Sequence, residues 1–204
     1  DQIFAMAGRV TKRDEKTAAA IFESLLLTGI AMSFTKTSRP GSGTEHIMAH
    51  FWECMELLDS KTPNYHGEDV GVTTLIMLRY YEALARLPQV TAHPEICNWD
   101  EIYSIYGPLA PDVQKLNTPD TITDGIAPRW IEACWPQIRR IVQSVPSYDA
   151  CLAAMRQAGC KTTIEEVGKA PDFVEISFRF HPYMRRRLSL KRVSHMLDLP
   201  EDLF

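Results

Sequence analysis

Apolar residues between Glu15 and Phe34 recur at steps of three and four, at Ala19, Phe22, Leu26, Ile30 and Phe34, which predicts a helix carrying an apolar stripe. Ser38-Arg39-Pro40-Gly41 ends it. Ser42 followed three residues later by Glu45 has capping-box spacing, and Ile47, Phe51, Met55 and Leu58 then extend a helical stripe to about Asp59. Pro63 and Asn64 break the chain before His66, from which a second apolar period runs for about six turns. Gly67 and Gly71 interrupt that helix at a four-residue spacing, so another backbone or a ligand is expected close to their face. Further helices are expected near Trp99 to Tyr106, Pro128 to Ser144, Tyr148 to Ala158, Pro171 to Phe180 and Pro182 to Leu197, with a short capped turn at Thr163 and Glu166. No strand alternation, repeat or low-complexity segment occurs. The pattern predicts an all-α bundle of seven to nine helices, with residues 1–204 as one helical domain.

Composition narrows the class. With 45% hydrophobic and 24% charged residues in 204, the chain has the balance of a globular protein with one substantial core. A net charge of −4 argues against a general nucleic-acid binder, and the late basic cluster (Arg185, Arg186, Arg187, Lys191, Arg192) reads as a solvated face. Five cysteines without a C-x-x-C pair read as the reduced thiols of a cytoplasmic protein. The apolar run Leu25 to Phe34 is broken by Thr28, Gly29 and Ser33 and falls short of the ~20 residues of a bilayer span, so no membrane segment is expected. Asp1, without an initiator methionine or a signal pattern, reads as an interior position of a longer sequence.

Three of the six histidines sit at the starts of two successive helices. His46 and His50, four apart, share one helix face. His46 and His66 lie in first helical turns, where the positive end of the helix dipole favours the neutral imidazole that a metal requires. A single histidine is more often an ordinary hydrogen-bonded residue. Here the clustering points to an imidazole-rich metal site that needs an oxygen ligand from elsewhere. Glutamate is missing from the base position of a zincin in His46-Ile47-Met48-Ala49-His50, and no cysteine pair supports a structural zinc site. His93, His181, His195 and the four tryptophans read as structural.

The runs SLLLTGIAMSFTKTSRPGSGTEHIMAHFWE (Ser24 to Glu53), HGEDVGVTTL (His66 to Leu75), GCKTTIEEVG (Gly159 to Gly168) and FHPYMRRRLSLKRVSHMLDL (Phe180 to Leu199) carry a resemblance. They are similar to the metal-binding half of the sn-glycerol-1-phosphate dehydrogenases, in the superfamily of iron-containing alcohol dehydrogenases and dehydroquinate synthases. That resemblance implies that His46 and His66 hold a divalent metal (zinc, nickel or iron), while His50 faces the nicotinamide and substrate as a catalytic group. It implies NAD(P)H bound by an N-terminal α/β domain, yet no G-x-G-x-x-G element occurs in this chain. The expected object is therefore a C-terminal helical domain lacking its nucleotide-binding partner and inactive alone, from a homo-oligomeric enzyme acting on a phosphorylated triose or polyol. The family's third ligand is an earlier aspartate, and the only aspartates ahead of the histidines, Asp1 and Asp14, lack the family's Gly-rich context. Arg39 is a candidate for the substrate phosphate, with a salt-bridged loop arginine as its plainer rival. The competing expectations are a dehydrogenase for an unphosphorylated polyol or alcohol, and a non-catalytic helical binding module.

Overall fold

The computed structural model describes residues 2–203; Asp1, read above as an interior position, lies outside the described residues. The architecture is all-α. Among the described residues the only β pairing is an isolated bridge between Ala92 and Leu197. The helices are α1 (Gln2–Met6), α2 (Glu15–Thr35), α3 (Thr44–Leu58), α4 (His66–Arg86), α5 (Trp99–Tyr106), α6 (Ala110–Asn117), α7 (Pro128–Ser144), α8 (Tyr148–Gln157), α9 (Pro171–Phe180) and the short α10 (Leu190–Val193), with 3-10 turns between several of them.

The central shaft is α4. Its Val72 and Met77 join Met48, Phe51 and Trp52 of α3, Ile102 and Tyr106 of α5, and Phe180 of α9 in one core. Its Tyr80 and Leu84 join Ile131 and Trp135 of α7 and Met196 in a second. Two buried indoles find acceptors, Trp52 Nε1–H on Ser177 Oγ at 2.7 Å and Trp135 Nε1–H on the Leu87 carbonyl at 2.9 Å. Trp130, by contrast, is exposed on α7. At Gly71 the close neighbour is neither a backbone nor a ligand but a side chain: a β-carbon there would lie 2.9 Å from Met155 Cε of α8, and the Lys161 carbonyl is 3.9 Å away. At Gly67 no atom would lie within 4 Å of a β-carbon, so that glycine serves no packing contact in this chain.

Several readings of the sequence need correction. In α2 the predicted stripe faces no core: Phe22, Leu25, Leu26, Leu27, Ile30 and Phe34 are all exposed. As one continuous 21-residue helix, α2 is long and apolar enough to cross a membrane by length and composition, which the broken run Leu25 to Phe34 concealed. The segment Pro182 to Leu197 is likewise not one helix. A 3-10 turn (His181–Met184) gives way to extended backbone at Arg185, and α10 starts only at Leu190, capped by Ser189 Oγ accepting from Arg192 N–H at 3.1 Å.

The basic cluster is a solvated face only in part: Arg185 and Arg186 are exposed, but Lys191 and Arg192 are not. Arg192 is fully buried, its Nε–H donating to Glu95 at 2.8 Å while its guanidinium stacks 4.0 Å from the Tyr183 ring. Burial pushes the Glu95 carboxyl up, but His195, Arg192 and Thr123 outweigh it and hold Glu95 below the usual range. Lys191 is buried too, with Nζ 4.3 Å from the Phe178 ring and 3.1 Å from His195 Nε2. This long-range pairing and desolvation overrode local helical spacing.

Candidate metal centre

The expected capping box does not form at Ser42. Helix α3 starts one residue later, with Gly43 at the N-cap, and Glu45 Oε1 accepts the Gly43 N–H at 2.8 Å. A β-carbon on residue 43 would sit 2.5 Å from Glu45 Oε2, so any larger residue there displaces that carboxylate. Ser42 instead binds Arg187, whose guanidinium donates to the Ser42 carbonyl at 2.7 Å and to Ser38 Oγ at 2.5 Å, pinning the 38–43 loop. The second capping-box reading holds: Thr163 N–H donates to Glu166 Oε2 at 3.1 Å and Glu166 N–H to Thr163 Oγ1 at 3.3 Å, closing a turn rather than a helix.

The two helix starts that carry the histidines are stitched together. Thr73 Oγ1–H of α4 donates to the Glu45 carbonyl at 2.9 Å, and Tyr81 O–H donates to Thr44 Oγ1 at 2.9 Å. Asn64 Nδ2–H donates to Asp69 Oδ1 at 3.0 Å and to the Val167 carbonyl at 2.8 Å, fixing the turn that enters α4. Below it, buried Lys169 reaches Glu56 at 2.5 Å and Asp69 at 3.4 Å. Both N-termini therefore present their positive ends to one surface region.

There the three histidines meet. The His46 and His66 rings are 5.4 Å apart between centroids and tilted by 56°, whereas His50 and His66 stack at 4.7 Å and 17°. The side chains are partly exposed, His46 at 24%, His50 at 37% and His66 at 43%, so the cluster lies open on the surface of this chain. Every ring is tied to a carboxylate through Nδ1: His46 to Glu45 Oε1 at 2.8 Å, His50 to Glu53 Oε2 at 2.9 Å and His66 to Glu53 Oε1 at 2.5 Å. Burial raises the Glu53 carboxyl, but the hydrogen bonds from His66 and His50 more than offset this and hold it below its ordinary value.

Ring geometry separates the pairs. A metal lies in the plane of each imidazole that binds it, and two imidazoles on one tetrahedral zinc at about 2.0–2.1 Å place their centroids roughly 5 Å apart, each plane free to turn about its metal–nitrogen bond. The tilted His46 and His66 rings have that separation. Nearly parallel rings such as His50 and His66 have no shared in-plane point between them. Among the described residues the donor atoms that converge within 4.8 Å of one another are those of His50, Glu53 and His66, and His46 is not among them. That closeness arises from one carboxylate serving two N–H groups.

Sequence reasoning missed Glu53 and Arg187. The three-residue step from His50 to Glu53 was the available signal for the first; Arg187 reaches residues 145 and 149 positions away and left none. Arg39 is exposed, and among the described residues its guanidinium has no hydrogen bond or ion pair, so the salt-bridged alternative is not realised. Asp14 accepts from Thr17 N–H at 3.1 Å and pairs with Arg9 at 2.7 Å, which commits it to capping α2.

Comparison with known proteins bears out the resemblance: the chain is homologous to proteins named glycerol-1-phosphate dehydrogenase (NAD(P)+). The one from Geobacillus stearothermophilus is 27% identical over 190 residues, 93% of this chain and 40% of its own length. That from Bacillus subtilis is 25% identical over 185 residues, 90% of this chain and 37% of its own. A shorter stretch matches the Thermococcus kodakarensis protein at 39% identity over 64 residues, 31% of this chain and 17% of that one. The chain thus spans about 40% of the length of the curated relatives it matches. No protein-family model matches it, and no solved structure does so significantly.

Proposed function

We propose that this chain is the metal-holding helical domain, residues 1–204, of an NAD(P)-dependent glycerol-1-phosphate dehydrogenase, in which His46 and His66 bind one divalent ion through Nε2. The observation that carries the reading is the crossed pair of rings, 5.4 Å apart, delivered by two helix starts and each held at Nδ1 by a carboxylate. When bound, the ion supplies Lewis acidity at the substrate oxygen, making the ketone of dihydroxyacetone phosphate easier to reduce and the glycerol hydroxyl easier to deprotonate. Zinc, nickel and iron all suit nitrogen and oxygen donors.

The remaining residues hold and move groups around that ion. His50, stacked on His66 with Nδ1–H on Glu53, keeps Nε2 as the atom that orients the substrate hydroxyl or exchanges a proton with it. Arg39 supplies a free guanidinium for the substrate phosphate on a loop that Arg187 pins. Hydride transfer belongs to the nicotinamide, bound by a nucleotide-binding domain outside this chain. The reading goes with a cytoplasmic homo-oligomer.

The test is metal titration and kinetics of the full-length enzyme that contains this chain. His46→Ala and His66→Ala are each expected to abolish stoichiometric metal, and His50→Ala to keep metal while losing turnover. Arg39→Ala is expected to raise KM for glycerol 1-phosphate far more than for glycerol. Full metal in either ligand variant, or equal KM changes, overturns the corresponding assignment.

A further inference from the structure

We infer that Glu53 is the positioning residue of the histidine cluster: one carboxylate fixes the tautomer of both His66 and His50, so that their Nε2 atoms are available before any ion arrives. The inference rests on the metal reading above only for its consequence, since the hydrogen-bond geometry stands by itself. Glu53 lies one turn beyond His50 on α3, and its side chain is 18% exposed. Oε2 serves His50 Nδ1 at 2.9 Å and Oε1 serves His66 Nδ1 at 2.5 Å, so neither oxygen is spare and the carboxylate ties α3 to the first residue of α4.

An ionised carboxylate only accepts, so the ring nitrogen facing it carries the proton and the other nitrogen keeps its lone pair. Carboxylates bound to the far nitrogen of ligand histidines orient the ring and raise its basicity. Glu45 repeats the arrangement at His46, its Oε1 accepting from both the Gly43 N–H and His46 Nδ1 at 2.8 Å. The two carboxylates divide the cluster: Glu45 governs His46, while Glu53 couples His66 to the stacked His50.

The decisive experiment is nitrogen-15 NMR of the imidazoles in the metal-free chain, followed by cobalt(II) titration of the full-length enzyme with visible absorption. In the unsubstituted protein all three rings are expected as Nδ1–H tautomers. Glu53→Ala shifts His50 and His66 toward Nε2–H and leaves His46 alone; Gly43→Ala, which displaces the Glu45 carboxylate, does the reverse. Glu53→Ala also weakens cobalt binding about 10–100-fold with the band shape at saturation unchanged. Glu53→Gln, whose single carbonyl oxygen accepts from one ring, loses one tautomer and provides the test if the alanine variant loses helicity. Unchanged tautomers or cobalt affinity in these variants overturn the inference, and so does a band shape showing a lost ligand, which makes Glu53 a direct donor. If the unsubstituted full-length enzyme takes up no cobalt while the tautomers respond as described, Glu53 keeps its role and the metal reading falls.

Discussion

Helices α2 and α4 are both 21 residues long, and α2 is the more apolar of the two, yet α4 is the shaft of the protein while α2 is almost wholly exposed. In α4, Val72, Met77 and Leu84 are buried while Arg79 and Arg86 point to solvent. In α2 the apolar residues go all the way round, so Phe22 is 63% and Phe34 82% exposed. Apolarity sets how much a helix gains from burial; the segregation of its faces decides whether its own chain can provide that burial.

The comparison breaks most visibly where α4 carries charge into the core. Lys169 pairs with both Asp69 and Glu56, with Lys169 and Asp69 almost without exposure. Burial pushes the Asp69 carboxyl above its ordinary value, despite Asn64 and Lys169. Lys169→Ala leaves two carboxylates without their cation and is expected to cost about 3–5 kcal/mol. Urea denaturation measures it, and a loss below 1 kcal/mol would mean that water reaches the pair. Next comes packing: Leu84→Ala, at a site with no exposure, is expected to lose about 2–5 kcal/mol. The same substitution at half-exposed Leu26 of α2 should stay within about 0.5 kcal/mol. Equal losses at the two positions would remove the contrast between the helices.

A pH scan sharpens the picture at the junction of α9 and α10. Burial pushes His181 down to about 3, with Lys191 and His195 also disfavouring its charge and the Ser177 carbonyl only partly offsetting them. Burial likewise pushes His195 down to about 4, although Glu95 opposes it. Below the ordinary histidine value of 6.5 the unfolded chain takes up protons that these folded rings refuse, so stability falls as pH drops from about 6.5 toward 4. Glu95, held low in the folded state, adds to the loss only below about 4.5, where the unfolded carboxyl protonates. Urea midpoints between pH 7 and 5 should therefore decline, and His181→Asn should flatten the decline. A flat profile in the unsubstituted protein would mean that the two rings are solvated.

What the sequence made legible follows the range of each interaction. Helices α3 and α4 could be read because their apolar periods and the breakers Pro40, Gly41 and Pro63 are local. The meeting of the histidines was readable for the same reason, since His46 and His66 open successive helices, His50 follows His46 by one turn and the connecting loop is short. The end of the chain was misread because Glu95 and Arg192 are 97 residues apart, and nothing in RRRLSLKR announces which cation will be desolvated. Glu53 was hidden differently: a glutamate three residues after a histidine is ordinary, and its second partner belongs to the next helix.

The smallest effect on stability should come from the most drastic change to the surface. Replacing Leu26 and Ile30 together with glutamate puts two charges on the exposed middle of α2, where no core contact is lost. Leucine and glutamate have similar helix propensity, and isoleucine is slightly worse than either, so the helix itself should persist. The denaturation midpoint is expected to move by the equivalent of at most about 0.5 kcal/mol, while binding of a hydrophobic dye and self-association in sedimentation should fall sharply. If the protein instead unfolds, α2 is packed in solution against something within its own chain, and the contrast with α4 would be one of degree only.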